Sequence, residues 1–154
     1  RKIAVHRPEV IVGLPTLGLT LAAALARVLG YARYVPLGTS RKFWYEEALS
    51  VPLSSITTPD QQKRLYVDPR MMPLIAGKRV ALVDDVISSG TSIVSGLKLM
   101  QAVEIEPVVI GAAMLQSERW QAKLDELGSN LRDRVVSCFR TPMLVKTDDG
   151  AWRA

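Results

Sequence analysis

Residues 80–92 read Val80-Ala81-Leu82-Val83-Asp84-Asp85-Val86-Ile87-Ser88-Ser89-Gly90-Thr91-Ser92. The apolar start has the composition of a buried strand. It runs into two adjacent carboxylates and then a small, hydroxyl-rich turn that opens a helix. Hydroxyls and unpaired N–H groups at the positive end of a helix dipole favour a phosphate. Gly90 lets the backbone come close to such an anion. Asp84 and Asp85 would repel the same phosphate. They suit a different role, accepting hydrogen bonds from sugar hydroxyls or holding a divalent cation through water. Taken singly, Asp85 could merely start a turn and Ser88–Ser92 merely cap a helix. An acidic pair at a strand end, followed at once by five small residues, instead describes a site for a phosphorylated sugar.

Working outward, three more apolar runs read as strands, Val10–Val12, Tyr34–Leu37 and Val108–Leu115, alongside Arg79–Val83 itself. Each is rich in Val, Ile, Leu or Tyr and bounded by Gly, Pro or Asp. Helical patterns lie between them. Leu19–Leu29 is Ala-rich, with Gly30 placed to cap its end. Thr91–Val103 sets Ile93, Val94, Leu97, Met100 and Gln101 on one face, and Ser117–Leu127 gives a third helix before Gly128. Val135–Arg140 offers a last strand, followed by an irregular tail containing Trp152. Strand–loop–helix–strand repetition predicts an α/β fold, a mostly parallel central sheet with helices on both faces. Ligands of such sheets gather beyond the carboxyl ends of the strands, which selects the loops Gly13–Gly18 and Asp84–Thr91.

One segment breaks the alternation. Ser40 to about Met72 is polar and weakly periodic, with Pro52, Pro59 and Pro69, and reads as a structureless functional lid or mobile excursion. The uncharged run Val10–Ala26, preceded by Arg1 and Lys2, superficially resembles a signal peptide or short span. Gly13, Pro15 and Gly18 interrupt it, so strand, loop and helix is the better reading, and no membrane is expected.

The chain has 154 residues, 48% of them hydrophobic and 23% charged, which suits one globular domain over 1–154. Cys138 is the single cysteine and His6 the single histidine. Disulfide frameworks, Cys-clustered zinc sites and most histidine-based catalytic schemes are thereby excluded. A reducing, cytoplasmic setting follows, with Cys138 expected to be a small buried hydrophobe. The net charge of +5 and pI near 9.6 point to an anionic partner. The excess is concentrated in residues 1–45, where seven cations face Glu9 alone. The chain opens on Arg1 and not Met, which leaves room for a segment ahead of it.

Residues 80–92 closely resemble the phosphoribosyl-pyrophosphate (PRPP) motif of the type I phosphoribosyltransferases. The resemblance implies their Rossmann-like core with a small hood and a flexible loop. It implies that Asp84 and Asp85 bind the ribose 2′ and 3′ hydroxyls and act in catalysis, and that Ser88, Ser89, Gly90, Thr91 and Ser92 bind the 5′-phosphate. Gly13–Gly18 is similar to the family's pyrophosphate loop, which binds through backbone amides and often holds a non-proline cis peptide; Leu14, Pro15 and Thr16 would serve here. The loop has no Lys, Arg or Ser, so its grip would come from backbone N–H groups and Thr16. The excursion at about 40–72 matches the loop that closes over the reaction centre. Arg41, Lys42 and Tyr45 begin it and Lys63-Arg64 end it. Phe43-Trp44-Tyr45 either packs the loop down, stacks on a base, or forms a small satellite core.

The implied reaction displaces pyrophosphate from C1 of PRPP by a ring nitrogen, giving a nucleoside 5′-monophosphate. Mg2+ would act largely as part of the substrate, held indirectly by Asp84 and Asp85. Ser88 stands where hypoxanthine-guanine enzymes place an acidic general base, which counts against a 6-oxopurine. The His-Gly-rich loop of orotate enzymes is absent, and Leu115-Gln116-Ser117-Glu118 lacks the Arg expected to meet orotate. A purine of the adenine type survives by elimination. The base pocket would come from the hood at 134–154, through Phe139 and Trp152. The partners implied are PRPP and a nucleobase, with a homodimer as the family's common assembly. No helix-turn-helix or other reader module argues for nucleic acid. The competing reading is a PRPP-binding regulatory protein that keeps the fold without catalysis.

Overall fold

The computed structural model describes residues 1–53 and 63–154. Five strands form one parallel sheet: β1 (Val10–Gly13), β2 (Val35–Pro36), β5 (Val80–Ile87), β6 (Val109–Gln116) and β7 (Val135–Thr141), in the order β2–β1–β5–β6–β7. From β1 the chain builds outward first to one side and then, through β5, to the other. The β1/β5 boundary is therefore the switch point of the sheet, where a crevice opens beyond the strand ends.

Alternation along the strands divides the core in two. Val12, Leu82 and Ile110 pack with α3 (Thr91–Ala102) and α4 (Arg119–Leu127) through Ile93, Leu97, Met100, Trp120 and Leu124. Ile11, Ala81, Val83 and Val109 pack with α1 (Gly18–Val28) through Ala22 and Ala26. Small residues let α1 approach closely, since a Cβ on Gly13 would meet the Ala22 Cβ at 2.7 Å. Gly30, at φ +78°, ends α1: its N–H donates to Arg27 O, and the Tyr31 N–H donates to Ala26 O, which makes a Schellman cap.

Several expectations need correction. The central strand does not stop at Val83 but runs through Asp84 and Asp85 to Ile87, because β6 goes on pairing with it as far as Leu115. The α3 face is wider than its apolar periodicity implied; Ser95 and Gly96 are buried in it, and Gln101 is exposed. Cys138 is exposed, since β7 is an edge strand whose outer half is uncovered.

The excursion is also more ordered than its composition promised. β3 (Ser50–Pro52) and β4 (Arg64–Tyr66) form an antiparallel pair, and the short helix α2 (Met72–Ile75) follows. Leu65, Tyr66 and Val67 are buried, and these three apolar residues anchor the root of the hairpin. The middle of the proposed lid, 54–62 with Pro59, lies outside the described residues. The tail forms a second small pair, β8 (Val145–Lys146) with β9 (Trp152–Arg153). Among the described residues no helix is long and apolar enough to cross a membrane.

Candidate functional site

Three sequence-selected segments meet at the switch point. The first is the loop from β1 to α1. Its Leu14 is a core plug, buried to 1% exposure, and the Leu14 N–H donates to Val83 O at 2.9 Å. That amide is committed to the sheet. Pro15 has no N–H, so the donor capacity of this loop rests on Thr16 and Leu17, whose amides donate to nothing among the described residues. The Pro15–Thr16 peptide is cis and is not an X–Pro bond, the feature the resemblance had implied.

The second segment is the end of β5. Asp84 is 5% exposed and Asp85 half-buried. The Asp85 N–H donates to Asp84 Oδ1 at 2.9 Å. Burial, followed by the neighbouring Asp85 carboxyl, pushes the Asp84 carboxyl up to about 7. The start of α1 presses on the same residue: a Cβ on Gly18 would lie 2.8 Å from Asp84 Oδ1 and 2.9 Å from Asp84 Cα. Only glycine lets the first loop and the acidic pair sit this close.

The third segment is Ser88–Ser92. Gly90, at φ +81°, forms the N-cap of α3. A small concavity of about 110 Å³ is lined by residues 86–93. The Thr91 and Ser89 hydroxyls lie 3.2 Å apart, and the Gly90 carbonyl accepts from Val94 N–H, starting the helix. The Thr91 N–H makes a long bond to Ser89 Oγ at 3.5 Å, and the Ser92 and Ile93 amides remain as donors. The loop itself carries no charge.

The residues of the excursion divide by role. Arg64 is a strut: it pairs with Glu47 at 2.9 Å, and its Nε donates to Ser50 Oγ at 3.0 Å. It is thereby removed from the expected supply of cations. Arg41 and Lys42 are exposed and make no ion pair among the described residues. Tyr45 packs on Tyr66 with ring centroids 5.3 Å apart, and its hydroxyl lies 3.7 Å from where a Gly38 Cβ would be. Gly38 follows Leu37, whose N–H donates to Gly13 O at 2.9 Å. Tyr45 is thus tied to the edge of the crevice. Trp44 donates from Nε1 to Asp68 Oδ2, and Arg70 stacks over its ring at 4.3 Å. Phe43 stands edge-on to Trp44 with ring centroids 4.7 Å apart but is 97% exposed, so it covers the Trp44–Tyr45 cluster from the solvent side.

Phe139 and Trp152 are not brought together. Phe139, on β7, pairs in register with Met114 of β6, Trp152 lies on β9, both Phe139 and Trp152 are exposed, and their rings form no aromatic pair among the described residues. One residue escaped the sequence reading altogether. Lys123 of α4 donates from Nζ to Thr91 Oγ1 at 2.7 Å. Its only sequence signal was a lysine in the helix after β6, and nothing in the pattern linked it to the loop.

The sequence and the fold around this crevice match a known class. A family model for the phosphoribosyl transferase domain covers residues 4–140. The chain belongs to that family, and its parallel sheet is the type I phosphoribosyltransferase fold. The adenine phosphoribosyltransferase of Albidiferax ferrireducens is 30% identical over 127 residues, which are 80% of this chain and 56% of that protein. The chain therefore spans little more than half the length of that relative. Among solved structures, the adenine phosphoribosyltransferase of Giardia lamblia complexed with 9-deazaadenine superposes with a TM-score of 0.70 at 18% identity, covering 90% of this chain and 75% of that one. The enzyme of Thermoanaerobacter pseudethanolicus gives 0.66 at 20% identity, covering 87% and 70%. At these identities the two structures speak for the fold.

Proposed function

We propose that this domain transfers the 5-phosphoribosyl group of PRPP to a purine, adenine above others, with release of pyrophosphate. The observation that carries the reading is the meeting, at one switch point, of an acidic pair with Asp84 buried and Asp85 half-buried, an amide-bearing loop and an uncharged hydroxyl-rich helix start. These are the groups a sugar diol, a pyrophosphate and a phosphate monoester each need. The 30%-identical adenine phosphoribosyltransferase of Albidiferax ferrireducens supports adenine as the acceptor.

In this reading Asp84 and Asp85 accept hydrogen bonds from the ribose 2′ and 3′ hydroxyls. Ser88–Ser92 hold the 5′-phosphate, and Thr16 with its neighbouring amides holds the pyrophosphate. The bond from C1 to the pyrophosphate oxygen breaks, a ring nitrogen of the base gives its lone pair to C1, and the proton of that nitrogen passes to solvent. Positive charge grows on the ribose as the bond stretches, and two carboxylates fixed beside it stabilise that charge without reorganising. Positioning does the rest. Arg41 and Lys42 bring charge to the leaving group, and Phe139, exposed on β7, supplies apolar surface for the base.

Two adjacent carboxylates suit a hydrated Mg2+ carried in by the substrate, held through its waters. Among the described residues no group of three His, Cys, Asp or Glu forms a metal site of its own. When bound, the ion neutralises charge on the leaving pyrophosphate. A cytoplasmic location and a homodimer complete the proposal.

The test is pyrophosphate release from PRPP and Mg2+ with adenine, guanine, hypoxanthine and orotate in turn. Release with adenine and AMP as product supports the reading. PRPP binding with no turnover on any base would instead show a regulatory protein on the same fold.

A further inference from the structure

The first turn of α4 is clamped on the Ser88–Ser92 loop. Trp120 is 3% exposed, its Nε1 donates to Ser117 O at 3.1 Å, and a Cβ on Gly90 would lie 3.0 Å from Trp120 Cα. Residues three apart share a helix face, so the clamp at Trp120 carries Lys123 to the loop. There its Nζ donates to Thr91 Oγ1 at 2.7 Å.

The direction of that bond has a consequence. An ammonium has donors and no acceptor, so Thr91 Oγ1 must accept, and its single proton is left to be given elsewhere. Ser89 Oγ, 3.2 Å away, is the next hydroxyl in the chain. Either hydroxyl of that pair can donate to the other, and the Thr91 N–H also donates to Ser89 Oγ at 3.5 Å, so Lys123, Thr91 and Ser89 form one hydrogen-bonded line along the loop. Lys123 is half-buried and makes no ion pair among the described residues. The loop is neutral, yet a phosphate monoester carries close to two negative charges at pH 7.

We infer that Lys123 is a positioning residue of the 5′-phosphate site: it holds the Thr91 hydroxyl in place and supplies the cation that the loop lacks. The inference rests on the proposed function and adds to it a residue outside the PRPP motif.

Calorimetric titration with ribose 5-phosphate and, separately, with pyrophosphate tests it, together with steady-state kinetics. In Lys123→Met, affinity for ribose 5-phosphate falls and KM for PRPP rises by about tenfold or more, the span of a charge-assisted hydrogen bond. Pyrophosphate affinity and kcat stay within about twofold of the parent protein, as a bond made equally in ground and transition states requires. Lys123→Arg restores most of the loss. Lys98→Met, a lysine that lines a groove between α3, α4 and β3 together with Lys123 and Thr91, leaves both affinities unchanged. Lys123→Gln is the second variant should Lys123→Met not fold. Unaltered ribose 5-phosphate affinity in folded Lys123→Met overturns the inference, as does an equal loss toward pyrophosphate. Parent protein that binds ribose 5-phosphate through Lys123 but never consumes PRPP overturns the transfer reaction and leaves this role standing.

Discussion

Gly18, the first residue of α1, lies against Asp84 so closely that a Cβ there would come within 2.8 Å of Asp84 Oδ1 and 2.9 Å of its Cα. The second contact is backbone, so it cannot be relieved by a rotamer change. Gly18→Ala should push the β1–α1 loop away from β5. The expected loss is about 1–3 kcal/mol of stability, typical of overpacking, with weaker binding of PRPP. Denaturant unfolding and a PRPP titration on the same variant check this; full stability with full affinity would show that the loop and the acidic pair are not coupled.

The raised Asp84 carboxyl makes stability depend on pH with a definite sign. Its folded value is about 7, against 3.8 for the ordinary side chain. Between those values the folded protein holds a proton that the unfolded chain has lost. This group's contribution therefore falls as pH rises from about 4 to about 7 and then levels off. Asp84→Asn should flatten that part of the ligand-free stability curve, as read from urea midpoints across the range. An identical curve in both proteins contradicts the assignment. Because a ribose diol needs the ionised acceptor, PRPP affinity in the parent protein should increase as pH rises through 7.

Thr91→Ala removes the hydroxyl that joins Lys123 to the loop. PRPP binding should weaken by about 1.5–3 kcal/mol, the worth of a hydrogen bond to a charged group, while KM for the base stays unchanged. Initial-rate kinetics with each substrate varied in turn separates the two.

The Trp44–Asp68–Arg70 cluster ties the start of the excursion to the segment before α2. Asp68 is buried, accepts from Trp44 Nε1 and from the Arg70 N–H and guanidinium, and Arg70 holds its carboxyl well below the usual range. Asp68→Ala should release Trp44, redden its fluorescence and speed tryptic cleavage at Arg41 and Lys42. Unchanged proteolysis would show that the segment is held by other contacts.

The core of this arrangement was legible because its signals are local. Apolar runs bounded by Gly, Pro and Asp marked the strands, and the PRPP-like stretch was continuous from Val80 to Ser92. What failed was what depends on pairing at a distance. Two adjacent aspartates ordinarily end a strand, yet register with β6 carries β5 onward to Ile87. Arg64 read as a free cation because Ser50, 14 residues earlier, could not be foreseen as its partner. Lys123 lay 32 residues from Thr91 and was invisible for the same reason. Cys138 was misplaced because nothing local distinguishes an edge strand from a central one.

The central claim is that the acidic pair of β5 and the helix start after it grip one PRPP molecule. Calorimetric titration of PRPP with Mg2+ tests it most directly, on the parent protein and on Asp85→Ala. Saturable single-site heat in the parent, with affinity at least about tenfold weaker in the folded variant, is the predicted result. Folded parent protein that gives no heat, or a variant that binds PRPP equally tightly, would contradict it.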